Sequence, residues 1–224
     1  MIPVLLWVAI CSAMPGNAEI PWPLAADPVL DGRVGESEYK RFVMIQKWPK
    51  TSFTQERNVR VWLGQRKDFL YIAAELPDSS YYWGDDFVVS FDPDGSAGGA
   101  PGDGDRQWYL RRDLDSSVVA TAIAGRWTIP GHEPPPLGKK RHGDGWDVAS
   151  TSSADSWTVE LRIRSPRLGR MPRIAFRTYD DSPQGWWSWP VPPDSLRTTV
   201  VERTPNLWVP LVGPGKARPG SAEN

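Results

Sequence analysis

The sequence predicts an all-β fold: a single-domain antiparallel sandwich of two sheets, of the immunoglobulin-like or jelly-roll-like kind. Short apolar segments with a period of two residues recur along the chain, as in Phe87–Phe91 and Trp157–Ile163. This period is typical of strands that bury one face. Turn residues separate the segments, and no long amphipathic helical pattern interrupts them. Regularly spaced short strands of this kind predict a sandwich.

The composition limits the classes of partner. The chain has 224 residues and a formal net charge of −1, so a nucleic-acid partner is not predicted. Thirteen Trp residues are more than one core of this size needs. We therefore expect some indole rings to form a stacking surface.

Residues 1–18 predict a cleaved secretory signal peptide, and hence a secreted or periplasmic protein without a transmembrane span. Ile2–Met14 is almost wholly apolar but too short to cross a bilayer, and Ala18 is the small residue at the predicted cut. A lipoprotein signal at Cys11 is the alternative. Cleavage after Ala18 leaves a chain without Cys, with the sandwich predicted at residues 19–213 and a disordered tail at 214–224.

The first half of the chain opens with an extended segment and a turn. Pro21–Pro28 is rich in Pro, Asp31-Gly32 marks a tight turn, and Gly35–Tyr39 predicts one helical turn with acidic residues at its start. Val59–Gly64 and Phe69–Leu76 follow, and a polar turn joins them. Their apolar, alternating character predicts a hairpin.

The middle of the chain is organised around Phe87–Phe91, where large apolar residues alternate directly after an acidic pair. Asp92–Asp105 contains too many Gly and Pro residues to continue a strand. Arg106–Arg111 and Ser117–Ile123 then predict two further strands. Gly131–Gly145 is a predicted loop with three consecutive prolines and a basic run.

The last part of the chain holds the clearest predicted hairpin, Trp146–Thr151 with Trp157–Ile163, because the second segment alternates strictly. Arg173–Tyr179 is a further predicted strand. Asp180–Ser195 is a predicted loop that carries three Trp residues, and Trp208–Val212 is a predicted edge strand, where Pro is tolerated.

These segments, in this order, resemble the family 9 carbohydrate-binding modules and the wider superfamily of DOMON and cytochrome-type haem sandwiches. The residues that carry the resemblance are Leu30-Asp31-Gly32 with Glu38-Tyr39, Val59–Trp62 with Leu70–Glu75, Asp85–Asp92, and Trp146–Ala149 with Trp157–Ile163. The resemblance implies a non-catalytic domain that binds a polysaccharide or an oligosaccharide. In sugar-binding members two Trp residues clamp the sugar ring.

The resemblance also implies where a ligand binds. Trp83 falls at one position of the clamp, and Trp187 or Trp189 falls near the other. The family's carboxylate, arginine and amide positions fall near Val89, Tyr109 and Tyr179, which differ from the family pattern. A different glycan, a different partner or no glycan therefore remains open. The predicted ligand-binding residues are Trp83, Trp186, Trp187, Trp189, Asp85, Tyr109, Arg111 and Tyr179, with Gln184 as a further polar contact.

The physical basis of this site is that sugar C–H faces stack on rigid indole rings. The alternative is that the late Trp residues only cap the end of the sandwich. By contrast, Trp62, Trp146 and Trp157 lie inside predicted strands, and we expect them in the core.

A calcium site is predicted in the Gly-rich loop, from Asp92, Asp94, Asp103 and Asp105. Carboxylate oxygens at alternate positions suit Ca²⁺, and carboxylates this close repel one another unless they are neutralised. The alternatives are a solvated acidic turn, or an ion held by Asp85 and Asp86 with Asp78.

Other functions have weaker support. Haem binding would use Met44 or Met171 as an axial ligand, and His132 with His142 is a conceivable metal pair. A module that binds a cell-envelope protein through the same Trp surface is a further alternative. No nucleophile or phosphate-loop motif of the common enzyme classes is present, so an enzyme is not predicted.

Overall fold

The protein is a sandwich of two packed β-sheets, as predicted. The computed structural model describes residues 22–35, 37–39, 42–44, 46–47, 59–78, 85–112, 117–128, 140–143, 145–164, 172–181, 184–190 and 201–211. The predicted signal peptide and tail lie outside these residues. None of the helices in the described part of the chain has the length and hydrophobicity of a membrane span.

The described part of the chain contains fifteen strands and two short 3-10 helices, at Val201–Arg203 and Pro205–Leu207. The strands are, in chain order, β1 (Trp22–Pro23), β2 (Phe42–Met44), β3 (Gln46–Lys47), β4 (Arg60–Arg66), β5 (Phe69–Pro77), β6 (Asp86–Asp92), β7 (Arg106–Arg111), β8 (Val118–Ile123), β9 (Arg126–Thr128), β10 (Lys140–Gly143), β11 (Trp146–Ser152), β12 (Ser156–Arg164), β13 (Arg173–Asp181), β14 (Gln184–Trp189) and β15 (Val209–Pro210).

The two sheets divide these strands between them. The first sheet has seven strands in the order β1-β4-β5-β12-β11-β10, with β2 also paired to β4. The second has eight strands in the order β3-β14-β13-β6-β7-β8-β9, with β15 paired to β13. The two-residue β1 runs parallel to β4, whereas the other described pairings are antiparallel.

The main core lies between the sheets and is built by alternate residues of each strand. The predicted inward residues of β6 and β12 are confirmed: Phe87 is fully buried and Trp157 is 2 % exposed, and both belong to the same apolar cluster. Phe87 stacks on Phe176 of β13, with ring centroids 5.7 Å apart and planes 16° apart. Trp146 is half-buried and packs against this core, whereas Trp62 belongs to a second cluster with Tyr39.

The predicted strands are confirmed with small shifts of their ends, and two predicted loops are partly wrong. Lys140–Gly143, inside the predicted basic loop, forms strand β10. Gln184–Trp189, inside the predicted Trp-rich loop, forms strand β14. Lys140–Gly143 pairs with β11 and Gln184–Trp189 pairs with β13. In both cases the backbone hydrogen bonds of the pairing form a strand where the turn residues of the sequence predicted a loop. At the predicted helical turn, the N–H of Glu38 donates to the carbonyl of Gly35 at 3.0 Å.

A buried carboxylate fixes the N-terminal segment to the outer side of the first sheet. Glu160 of β12 is fully buried. Its Oε2 accepts hydrogen bonds from the N–H groups of Asp31 at 3.0 Å and Gly32 at 2.9 Å. Its Oε1 accepts one from the hydroxyl of Tyr39 at 3.1 Å. The hydroxyl of Thr158 also donates to the carbonyl of Gly32. The Asp-Gly turn is therefore held by polar contacts across more than a hundred residues of sequence.

Gly32→Ala should destabilise the protein by more than about 2 kcal/mol. Gly32 has a φ of +80°, and a Cβ there would lie 2.3 Å from the backbone carbon of Ser150. Gly99→Ala is the matched control, because nothing lies within 4 Å of a Cβ at that position. Urea unfolding of both variants tests this, and equal stabilities would contradict the proposed close approach.

Stability should also fall as pH rises through neutrality. Burial raises the pKa of Glu160 from 4.5 to about 7, against the opposing effect of the N–H groups of Gly32 and Asp31. Between pH 4.5 and 7 the folded protein therefore keeps a proton on Glu160 that the unfolded chain releases. The stabilisation that comes from this proton is complete below pH 4.5 and is lost as the pH rises through 7.

The variant Glu160→Gln isolates this effect because it removes the titration. The free energy of unfolding in urea is measured for both proteins. The wild-type value minus the Glu160→Gln value should decrease by about 2 kcal/mol from pH 4.5 to pH 8. A difference that does not change with pH would show that Glu160 keeps an ordinary pKa.

Candidate functional site

Strand β14 decides which of the late Trp residues can face a ligand. Because its residues alternate, Trp187 and Trp189 point into the sandwich. Trp187 is 2 % exposed and belongs to the main core. Trp189 is half-buried and stacks on Phe176, with ring centroids 5.6 Å apart. The expectation that these two rings extend from a loop as a stacking surface is therefore corrected: hydrogen bonding to β13 turns the segment into a strand, and the strand period buries them.

The opposite side of the second sheet brings together predicted site residues that are far apart in sequence. Two adjacent lines of paired residues run across β14, β13, β6 and β7 on this outer face, and we call them the outer-face rows. The first row is Trp186, Tyr179, Asp86 and Arg111, and the second is Ser188, Arg177, Val88 and Tyr109. Four of these positions, Trp186, Tyr109, Arg111 and Tyr179, are predicted ligand-binding residues.

An ion pair lies at the centre of the rows. Nη2 of Arg177 donates to Oδ2 of Asp86 at 3.2 Å, and the two side chains are only 13 % and 12 % exposed. The backbone N–H of Tyr179 donates to the other carboxylate oxygen of Asp86 at 3.3 Å. Partial burial strengthens such a pair and fixes its orientation. The pair therefore places a rigid charged group between Tyr179 and Arg111.

A chain of neutral hydrogen bonds continues from the second row. The hydroxyl of Tyr109 donates to Oε1 of Gln107 at 3.1 Å. Nε2 of Gln107 donates in turn to the hydroxyl of Ser90 at 3.0 Å. Gln107 and Ser90 are buried, so these bonds orient the half-buried Tyr109 from below.

Sequence reasoning missed four of these residues: Asp86 in its ion-pairing role, Arg177, Gln107 and Ser90. The available signal was strand parity. In β6 the rings of Phe87 and Phe91 share one parity, whereas Asp86, Ser90 and Asp92 share the other with Val88. In β13, Ile174 and Phe176 alternate with Arg173 and Arg177. Polar residues of the same parity on neighbouring strands share a face, but which of them are paired depends on strand order and register.

The other end of the same outer face is covered by the chain itself. Trp208 follows the second 3-10 helix, is 1 % exposed and packs with Val201 on Ala175 of β13. Its indole N–H donates to the carbonyl of Val201 at 2.7 Å. This cover lies beside the second outer-face row, since Ala175 precedes Arg177 by two residues in β13.

The predicted residue Asp85 lies at the end of the sandwich beside the first outer-face row, since Tyr179 of that row lines the same cavity as Asp85. It is 4 % exposed and lines a small cavity of about 10 Å³ with Asp78, Trp157 and Trp187, which is room for about one water molecule. Asp78 is itself paired with Nη1 of Arg112 at 3.7 Å. The cavity that the described residues form here is too small for a sugar ring.

The Gly-rich loop brings three of the four predicted calcium ligands near one another. Oδ1 of Asp92 accepts N–H groups of Asp94 and Gly95, and its Oδ2 accepts that of Ala97. Burial, together with the neighbouring Asp92 and Asp94 carboxylates, raises the pKa of Asp105 to about 7, whereas the Gly102 N–H lowers it. The fourth predicted ligand, Asp103, contacts another part of the chain: its Oδ1 accepts a hydrogen bond from the N–H of Ala124 at 2.8 Å.

Backbone donors thus already occupy much of the acidic loop. Within the described ranges, no group of three or more His, Cys, Asp or Glu side chains is placed to hold a metal ion. Calcium binding by this loop, or at Asp85, Asp86 and Asp78, stays a prediction.

Several other predicted residues lie outside the described part of the chain. Trp83, His132 and Met171 are among the residues whose placement is not described, and for Met44, His142, Gln184 and Trp186 only the backbone is described. Trp186 is placed by its pairing with Tyr179.

Comparison with solved structures identifies the fold. A family 9 carbohydrate-binding module from Caldicellulosiruptor kristjanssonii, in complex with glucose, superimposes with a TM-score of 0.58 at 15 % identity and covers 90 % of this chain and 98 % of that chain. A candidate carbohydrate-binding protein from Bacteroides uniformis matches with a TM-score of 0.48 at 13 % identity, over 75 % of this chain and 84 % of the other.

No protein-family model and no curated protein matches the sequence. At 15 % identity the first structural match shows the fold. The protein therefore has the sandwich fold of the family 9 carbohydrate-binding modules, and the resemblance inferred from the sequence is confirmed at that level.

Asp86→Ala should lower the free energy of unfolding by about 3 kcal/mol, because it leaves the guanidinium of Arg177 partly buried without its carboxylate. Glu75→Ala is the matched control, since Glu75 pairs with Arg60 at 2.5 Å but the two side chains are 30 % and 42 % exposed. We expect that change to cost less than about 1 kcal/mol. Equal effects in chemical denaturation would show that the Asp86 pair is as well solvated as the control.

Proposed function

We propose that the protein is a secreted, non-catalytic carbohydrate-binding module whose ligand lies on the outer-face rows. The observation that carries the proposal is the first row, in which Tyr179, Asp86 and Arg111 are direct neighbours across three strands. An aromatic ring, a carboxylate and a guanidinium are thereby held on one face of a rigid sheet. The sandwich fold shared with a glucose-bound module supports the same conclusion.

The chemistry of the row suits a pyranose ring. A sugar presents apolar C–H faces and a rim of hydroxyl groups that both donate and accept hydrogen bonds. Half-buried Tyr side chains supply flat apolar area and a polar tip. A carboxylate and a guanidinium add acceptors and donors in fixed directions, and charged partners make the stronger hydrogen bonds. A few placed polar groups beside aromatic surface are typical of small-ligand sites.

Two Trp residues complete the proposed site. Trp186 is next to Tyr179 in the first row, and Trp83 precedes Asp85 by two residues in the sequence. We propose these two residues as the stacking pair, in place of the buried Trp187. Indole rings supply a large contact area and lose little conformational entropy on binding.

The site residues favour binding over catalysis. The carboxylate of Asp86 is held by Arg177 at 3.2 Å and by a backbone N–H, which orient it. A carboxylate used as a general acid needs an environment that raises its pKa. Asp86 is thus suited to orient sugar hydroxyl groups, and export by the proposed signal peptide would place the module beside extracellular or periplasmic polysaccharide.

Tyr179→Ala and Arg111→Ala should each weaken glycan binding at least about tenfold, or ~1.4 kcal/mol, because each removes one contact of the first row. Arg60→Ala is the control, since Arg60 lies on the first sheet and should bind as the wild type does. The measurement is depletion from solution by insoluble cellulose, xylan and chitin, with calorimetric titration of glucose, xylose, galactose and mannose.

Trp83→Ala and Trp186→Ala test the stacking pair in the same assays. Circular dichroism of every variant separates lost binding from lost folding. The proposal fails if the wild type binds no sugar of this panel, or if Tyr179→Ala and Arg111→Ala both bind at wild-type strength.

A further inference from the structure

Ser188 carries a buried hydroxyl group that nothing in the fold explains. It lies on β14 in the second outer-face row, next to Arg177 on β13. Its residue is 2 % exposed. Among the residues that the structure describes, its Oγ has no hydrogen-bond partner. Buried polar groups without a partner are uncommon in folded proteins, because each loses its hydrogen bonds to water without a replacement.

Ser90 shows that this face can satisfy a buried serine. Ser90 lies on β6 with the same outward parity and is 1 % exposed. Its Oγ accepts a hydrogen bond from Nε2 of Gln107 at 3.0 Å. The two serines therefore share residue type, sheet face and degree of burial, and differ in whether the protein supplies a partner. That difference calls for an explanation specific to Ser188.

We infer that Ser188 binds a hydroxyl group of the sugar, as a specificity-determining contact in the second outer-face row. This inference rests on the proposed function. A ligand hydroxyl between Ser188 and Arg177 would accept a hydrogen bond from the guanidinium and share one with Oγ, which can both donate and accept. Two adjacent polar groups of this kind select a sugar with a hydroxyl at one ring position over an analogue that lacks it.

The burial of Ser188 sets a condition on this contact. At 2 % exposure, a ligand hydroxyl reaches Oγ only after a side chain on this face changes its rotamer. Such side-chain adjustments are common when proteins bind ligands on a rigid backbone. The described neighbour that would have to move is Arg177, whose side chain is 13 % exposed and would have to turn within its ion pair with Asp86.

Ser188→Ala separates this role from a structural one, because the two roles predict opposite changes. Without ligand, removal of an unsatisfied hydroxyl should leave the melting temperature unchanged or raise it, whereas Ser90→Ala should lower it. With ligand, Ser188→Ala should weaken glucose binding about fivefold to tenfold in calorimetric titration. A Ser188→Ala variant that melts as low as Ser90→Ala would overturn the inference, since its hydroxyl would then be bonded within the protein.

Deoxy sugars identify the partner hydroxyl. Wild type and Ser188→Ala are each titrated with glucose and with its 2-, 3-, 4- and 6-deoxy analogues, which forms a double-mutant cycle between protein and ligand. We expect one analogue to bind both proteins equally, because the contact is already absent.

The outcomes of this cycle separate the two hypotheses. Equal glucose affinity of wild type and Ser188→Ala would overturn this inference alone and leave the proposed function intact, since the hydroxyl would then serve neither ligand nor fold. A wild type that binds no sugar or polysaccharide of the panel would overturn both.

Discussion

The burial of alternate side chains between the two sheets is the constraint on which the rest of the structure depends. In β6, β13 and β14 one parity supplies Phe87, Phe176 and Trp187 to the main core. Because successive side chains of a strand point to opposite sides, the other parity is committed to the outer face. The position of Asp86, Arg177 and Ser188 is therefore a consequence of core packing. A register shift of one residue would place charged groups in the core and aromatic rings outside it.

Polar contacts and local cover then decide how much of each outer face is available. On the first sheet, Glu160 fixes the Asp31-Gly32 turn against the strands. On the second sheet, Trp208 covers one end and is itself held through Val201. The outer-face rows lie at the remaining end, where Tyr109, Arg111 and Tyr179 are half-buried. Within the candidate site Val88 is fully buried and Ser188 is 2 % exposed, so a ligand there would first contact the half-buried side chains.

The content of the site could be predicted only in part, and the Trp-rich segment shows why. Trp186, Trp187 and Trp189 are equally prominent in the sequence, and their flanking Gly and Pro residues favour a loop. Pairing with β13 makes the segment a strand, and its period separates Trp186 from the two inward rings. By contrast, strand order and register bring Tyr109, Arg111 and Tyr179 to one outer face, and their contact with a ligand stays a prediction.

The sequence by itself determined the sandwich, its main strands and the inward residues of the clearest ones, since these follow from local alternation of apolar and polar residues. Only the tertiary structure decided that Asp86 meets Arg177 and that Glu160 holds a turn more than a hundred residues away. It also decided that Ser188 is buried with no hydrogen-bond partner in the described part of the chain. The physical reason is that strand order and register are set by the packing of whole sheets. The sequence around a residue predicts whether its side chain lies in the core or on the outer face of the sheet. It does not predict which side chain of the neighbouring strand lies beside it.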